Sequence, residues 1–328
     1  GVDSASQWGG DHGPAIDVTA DAEGNCYLAW DAAEKGHDLI KVNRDGRKVW
    51  GVNSPFRDRV IAVTHQTGRI YLASSGEQGV IMYDAITGNR LLLPDGKSLL
   101  VVSTNHVRNK LVVTLPPECE NPPFNLTDII AAEGHLFCAL HKENEIRVFR
   151  LDTFAPVAAI AIEHPLSLSW NATNNSLHCI SRNNLIRIEK PLGPEPRLTT
   201  LAPGLVQPYG LAVDGDGVSW VGLRGKSQQV VGFDAKGKQV RAIGKAGGRP
   251  WVGAYDPAGM LQPAGIALDG LGRLWVAEQD SLPRRQSVWD LKTGRLVREF
   301  FGGSAYSPMM APDLDAPENV FLHNTRFV

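Results

Sequence analysis

The side chains with chemical potential stand at the ends of short apolar runs rather than inside them. His12 and His164 precede such runs, and His141 follows one. Imidazoles brought together from such positions are zinc ligands. Asp17, Asp58, Asn125, Asp128 and Glu278 offer oxygens, the donor type that a hard divalent cation such as Ca²⁺ takes. No fixed spacing joins either set, so only the fold can assemble them. His12, Asp58, Asn125 and His164 are the residues on which a metal centre would rest, and without one the chain needs no cofactor. No G-x-S-x-G segment marks a nucleophile elbow. Aromatic and planar polar side chains form a second class. Trp8, Trp30, Tyr209, Trp251, Tyr255 and Tyr306 lie at segment ends or in inserts, with Arg249, Arg284 and Arg285 beside them. Such groups grip a glycan or a protein loop. Trp220, Trp275 and Trp289 fall within apolar runs and read as core.

The elements that must position these residues repeat along the chain. QPYGLAVDGDGVSWVGL (207–223) is followed by QQVVGFDAKGKQVRAIG, and QPAGIALDGLGRLWVAE (262–278) by QSVWDLKTGRLVREFFG. Each unit reads as strand, Asp-x-x-Gly turn, strand, loop, strand, turn, strand. Period-two alternation marks the strands, and Gly supplies the left-handed backbone of a tight turn. The same grammar begins at residues 15, 59, 127 and 166, and one position of the second strand holds Tyr27, Tyr71, Phe137, His178, Trp220 and Trp275. Inserts occupy 94–123 and 245–261.

Six four-stranded antiparallel units predict an all-β propeller in one domain, because a blade buries its faces only against its neighbours. The blades span roughly 10–54, 55–102, 121–162, 163–205, 206–248 and 261–303. The tail 304–328 closes the ring or begins a seventh blade. Two columns then frame the mouth of a central channel. Just before the first strands stand His12 or Pro14, Asp58, Asn125, His164, Gln207 and Gln262. Just after the second strands stand Trp30-Asp31, Ser74-Ser75, Leu140-His141, Ser181-Arg182, Leu223-Arg224 and Glu278-Gln279. A polar ring at a concave mouth is the default binding site. We therefore expect ligand contacts from Trp30, Asp31, His141, Arg182, Gln207, Tyr209, Arg224 and Gln262, with Glu278 at the mouth and Trp251, Tyr255 and Arg284 overhanging it. Glu278 and Asp31, at similar depth in adjacent blades, are the one acid pair placed for glycoside chemistry.

Composition narrows the function. Hydrophobic residues are 43% and charged residues 21% of the 328, enough to build a large core. Lys+Arg 33 against Asp+Glu 35 leaves a formal charge of -2, and the basic triplets at 108–110 and 283–285 are short, which argues against a nucleic-acid partner. No run of about 18 apolar residues is present to span a membrane. Cys26, Cys138 and Cys179 sit in apolar runs as small hydrophobes, and Cys119 lies in a Pro-rich loop. The chain starts at Gly1 and stops at Phe327-Val328 inside a strand-like segment, so it reads as part of a larger chain or assembly.

The units at 207–244 and 262–302 resemble NHL-repeat propellers. The resemblance rests on Pro208 to Asp214 and Pro263 to Asp269, on the Trp220-Val221 and Trp275-Val276 second strands, and on the aromatic-Asp turns at Phe233-Asp234 and Trp289-Asp290. That family includes peptide-amidating lyases, RNA and protein binders, and extracellular sensor domains, and related six-bladed folds include gluconolactonases. The lyases imply zinc on histidines ahead of successive blades, and only His164 matches that position cleanly. Gluconolactonases imply a carboxylate and Asn set. The overall pattern also looks like propeller modules of large secreted bacterial proteins. The expectation is a non-catalytic, extracytoplasmic module for a glycan or protein partner. A metal-assisted hydrolase or lyase with its ion in the channel is the alternative, and a structural subunit the second alternative.

Overall fold

The computed structural model describes residues 15–30, 37–56, 60–105, 124–250, 254–279 and 285–301, together with 310–312, 316, 320–322 and 325–327. Six sheets follow one another along the chain, each with strands paired antiparallel in chain order. Their innermost strands are Ala15–Ala20, Val60–Gln66, Leu126–Ala132, Pro165–Asn171, Pro208–Val213 and Pro263–Leu268. These strands contact one another in cyclic order, the last against the first, so the sheets are six blades around a channel. In blade 2 the outer strand comes in two pieces. Arg90–Leu91 pairs with Met82 and Tyr83, and Leu100–Val101 pairs with Gly79 and Val80. No helix among the described residues is long and apolar enough to cross a membrane.

One turn explains why an aromatic follows Asp by six residues in blades 1, 5 and 6. Gly272, with φ of 73°, lets the chain reverse beside Asp269. Asp269 Oδ1 accepts the backbone N–H of Leu271 (2.9 Å) and of Arg273 (3.0 Å). Its Oδ2 accepts the Trp275 indole N–H at 2.9 Å. Asp214 does the same for Trp220 at 2.8 Å, and Asp21 for the Tyr27 hydroxyl at 3.1 Å. A single carboxylate thus closes the hairpin and satisfies the polar atom of the ring that must be buried.

Those rings fill the seams. Among the described residues the hydrophobic core divides into six clusters, one between each pair of neighbouring blades. Tyr27, Tyr71, Phe137, Trp220 and Trp275 are all buried in them. In blade 4 the position is His178, and the seam supplies polar partners instead: Ser219 Oγ of blade 5 at 2.7 Å and Ser176 Oγ at 3.2 Å. Burial pushes the His178 imidazole down to about 4, so it packs as a neutral ring. Cys26, Cys138 and Cys179 are buried and free, and burial raises each thiol. Cys119 lies outside the described residues.

The inner strands have an edge facing the next blade, and side chains close it. Asp17 Oδ2 accepts Val63 N (2.8 Å), Thr64 Oγ1 accepts Ala131 N (3.1 Å), Asp128 Oδ2 accepts Leu168 N (2.7 Å) and Ser169 Oγ accepts Val213 N (3.0 Å). At the last two seams backbone meets backbone. A Cβ on Gly210 would fall 2.0 Å from Ala264 O, and one on Gly265 would fall 2.4 Å from Asp17 Cα. The ring therefore closes by blade 6 against blade 1, where Trp275 and Phe300 pack with Trp30 and Leu28. This corrects the expected role of the tail. Its strands, Met310–Pro312, Val320–Leu322 and Thr325–Phe327, pair with one another in a three-stranded sheet of their own. Gly265→Ala should destabilise the fold by about 1–3 kcal/mol, because the clash is with backbone that cannot swing away. A urea-denaturation midpoint equal to wild type would remove this account of closure.

Candidate functional site

The channel holds a cavity of about 260 Å³ lined by all six inner strands. Each strand carries a register shift one to three residues after its first residue. Such bulges turn side chains toward the axis. In blades 1 and 3 the shift ends on an acid, and Asp17 and Asp128 both line the cavity. Burial pushes Asp17 up to about 7, against backbone N–H groups of Val63 and Val18 that pull it down. Asp128 is raised well above the usual carboxylate range, first by burial and then by the negative charge of Asp17. Asp128 Oδ1 is also occupied, by Ile129 N at 2.7 Å.

The rest of the oxygen set goes elsewhere. Asn125 is buried at the blade 2–3 seam, where its amide donates to Glu143 Oε1 (2.8 Å) and Ser103 Oγ (3.2 Å) and its Oδ1 accepts Lys142 N (3.0 Å). Glu278 is wholly buried and bound to two arginines. His12, Asp58 and Asp31 lie outside the described residues, as do Trp8, Trp251, Arg284 and Tyr306. Among the described residues no three of His, Cys, Asp and Glu gather as metal ligands. Among the described residues the channel offers a hard cation two carboxylates, Asp17 and Asp128, each already accepting backbone N–H bonds.

Several expected contact residues prove to be structural. Trp30 is 0% exposed and belongs to the blade 1–6 core, so its ring cannot reach a ligand. Glu278 anchors a cluster at the blade 5–6 seam. Its Oε2 accepts from Arg249 Nη2 (3.2 Å) and Leu261 N (2.9 Å), and its Oε1 from Ser287 Oγ (2.9 Å). Arg285 Nη1 stands 3.4 Å from the same Oε1 and donates to Gly259 O (2.6 Å), while its Nη2 donates to Pro257 O (2.7 Å). Glu299 pairs with Arg285 Nε at 3.1 Å and accepts the Tyr255 hydroxyl. The insert is thereby pinned to blade 6 in part through the Tyr255 hydroxyl, while the Tyr255 ring stays 42% exposed. Arg249 and Arg285, placed beside the aromatics by sequence alone, are the buried members. Arg285 opens the third strand of blade 6, RQSVWD, whose first five residues are buried although its first three are polar, so the sequence carried no signal of that burial.

Among the described residues two groups remain on the inter-blade-loop face. At the blade 5–6 mouth Arg224 lies 3.8 Å over the Tyr209 ring. Its Nε donates to Pro263 O (2.9 Å) and its Nη2 to Gln279 Oε1 (2.7 Å). Gln207 O accepts Arg224 N, and Gln262 O accepts Gln279 N, so four of the expected residues form one patch. Gln279 was seen in the repeat but not singled out. Gln207 and Gln262 hold left-handed backbones, with φ of 45° and 53°. At the blade 3–4 mouth the His141 and His164 rings lie against each other, tilted, with centroids 4.7 Å apart. Burial pushes His141 down to about 4. Arg182 stands apart, exposed and paired with Glu163 at 2.9 Å.

No protein-family model matches the chain, and no curated protein matches it. Solved structures do. Virginiamycin B lyase from Staphylococcus aureus, crystallised with quinupristin, superposes with a TM-score of 0.56 at 14% identity, covering 94% of this chain and 91% of that one. A gluconolactonase from Xanthomonas campestris gives 0.54 at 12% identity over 83% and 86% of the two chains. A chain of a nidogen/laminin complex gives 0.51 at 13% identity over 70% and 79%. At such identities the likeness is one of fold: this chain is a six-bladed β-propeller, an architecture shared by enzymes and by binding modules.

Proposed function

We propose that the chain is an NHL-like extracytoplasmic recognition module that holds a protein segment or a glycan on its inter-blade-loop face, without catalysis. The observation that carries this reading is the Tyr209–Arg224 stack between Gln207, Gln262 and Gln279. Tyrosine is among the side chains that dominate binding hot spots. Arg224 itself is 3% exposed and fixed at two carbonyl oxygens, so, contrary to expectation, it braces the half-buried Tyr209 ring rather than meeting a partner, and a partner pays little to order that ring. The half-buried Gln207 and Gln262 flank the ring as amides that pair with a planar amide or a sugar hydroxyl, whereas Gln279 is held by Arg224. The nidogen/laminin likeness supports a protein partner, and the extracytoplasmic placement rests on the resemblance to secreted propeller modules.

The test is a displayed-peptide library and a glycan array, each screened with the purified chain and with Tyr209→Leu. Leucine keeps the apolar packing of a half-buried side chain and removes the stack and the hydroxyl. A hot spot worth about 2 kcal/mol predicts roughly 30-fold weaker binding of any selected ligand by Tyr209→Leu, at an unchanged thermal midpoint. No binder from either screen, or a binder indifferent to Tyr209→Leu and Gln207→Ala, overturns the proposal.

A further inference from the structure

The histidine pair at the blade 3–4 seam carries two nitrogens that the fold leaves unused. His141 follows the second strand of blade 3 and is 2% exposed. Its Nδ1 lies 3.2 Å from Pro165 O. A carbonyl only accepts, so Nδ1 bears the proton and Nε2 keeps its lone pair. That Nε2 is buried and has no hydrogen-bond partner. His164, just before the inner strand of blade 4, has its own Nδ1 buried and without a partner. The two rings lie against each other, centroids 4.7 Å apart and tilted by 40°. Buried polar atoms are almost always satisfied, so two orphans in adjoining imidazoles require a reason.

The backbone of both histidines is tied to blade 3. His141 N donates to Asn125 O at 2.7 Å, and His164 N donates to Asn144 Oδ1 at 3.0 Å. The His164 backbone is left-handed, with φ of 47°, as at the equivalent Gln207 and Gln262. A carbonyl on the outer nitrogen of one ring is the arrangement that orients metal-bound histidines. Imidazole nitrogen suits Zn²⁺, Cu²⁺ and Ni²⁺ and not the hard ions.

We propose that His141 and His164 form a two-imidazole site for a divalent transition-metal ion, at the seam of blades 3 and 4 and apart from the channel carboxylates. His141 Nε2 and His164 Nδ1 are the ligands, and water completes the coordination. The site is independent of the recognition patch at blades 5 and 6. With only two protein ligands, affinity follows the general order, Cu²⁺ above Ni²⁺ and Zn²⁺.

The experiment is titration of the intact chain with Cu²⁺, read by calorimetry and by electron paramagnetic resonance. Four proteins are compared: wild type, His141→Gln, His164→Asn and the double variant. Gln can still donate to Pro165 O, and Asn tolerates the left-handed backbone at 164, so both should keep the fold. The expected result is one Cu²⁺ per chain above whatever the double variant takes up. The spectrum should show two nitrogen couplings, and each single variant should lose one coupling and about tenfold or more in affinity. A hundredfold excess of Ca²⁺ should not displace the ion. Equal Cu²⁺ uptake by wild type and the double variant overturns the site, as does a wild-type nitrogen pattern in His164→Asn. Either result would leave a bridging water as what the two nitrogens hold.

Discussion

Glu278→Ala should cost the fold about 3–5 kcal/mol, because it strips the counter-charge from buried arginines rather than removing a surface ion pair. Arg249, Arg285 and Glu278 are 3%, 0% and 0% exposed. Two negative and two positive groups, Glu278, Glu299, Arg249 and Arg285, balance within the cluster. Without Glu278 the guanidinium of Arg249 loses an ion-pair partner in a place where water cannot replace it, and the buried Leu261 N–H loses its acceptor. Glu278→Gln separates the two losses. Its amide oxygen still accepts from Leu261 N while the charge is gone, so it should fall between wild type and Glu278→Ala. The measurement is equilibrium urea unfolding at pH 7, with the Glu299 face as a control. Glu299 is partly exposed, so Glu299→Gln should cost far less. A loss below about 1 kcal/mol for Glu278→Ala would mean that water reaches the cluster, and would remove the reason for calling it the anchor of the insert.

The same cluster shows where sequence reading stops. Blades were legible because strand alternation, Asp-x-x-Gly turns and one aromatic per second strand are local patterns. The position of Trp220 and Trp275 in the core was legible for the same reason. Burial of Glu278 was not. It ends a second strand where loops begin, and by position it reads as a wet mouth residue. What buries it is the insert folded over blade 6, a contact between residues about 17 to 29 apart that no period encodes. Trp30 misled in the same way, since the end of a strand in blade 1 is covered by blade 6 from the far end of the chain. Conversely, the union of Gln207, Tyr209, Arg224 and Gln262 was foreshadowed, because repeated units put equivalent positions of neighbouring blades side by side. The histidine pair lay in plain view as well, one residue after a second strand and the other before the next blade. Only the fold shows that the rings touch.

Asp17→Asn should raise stability at pH 8 by a few kcal/mol relative to wild type and leave it nearly unchanged at pH 4. The sign follows from linkage. In the unfolded chain Asp17 loses its proton near the ordinary carboxylate value of about 4, whereas burial holds the folded value at about 7. Below pH 4 both states are protonated and the group contributes no difference. Between about 4 and 7 the folded state keeps a proton that the unfolded state has released, so stability falls by about 1.4 kcal/mol per pH unit. Above 7 both are ionised and the full penalty stands. Asparagine never ionises, and its oxygen can still accept Val63 N across the blade 1–2 seam, so the variant escapes the fall. It also relieves Asp128, which the Asp17 charge pushes up. Wild type alone would hide the effect. His141 and His178 are pushed down to about 4, and His65 is lowered by burial, so over roughly pH 4 to 6.5 these rings make stability rise with pH. Acids and imidazoles oppose each other across that window, and the wild-type curve should be shallow there. The difference between Asp17→Asn and wild type cancels the histidines and reports the channel carboxylates. Urea midpoints at half-unit steps from pH 4.5 to 8 would give it directly. A difference that stays flat over this range would mean that burial does not raise Asp17, and the reading of the channel acids as desolvated would fall.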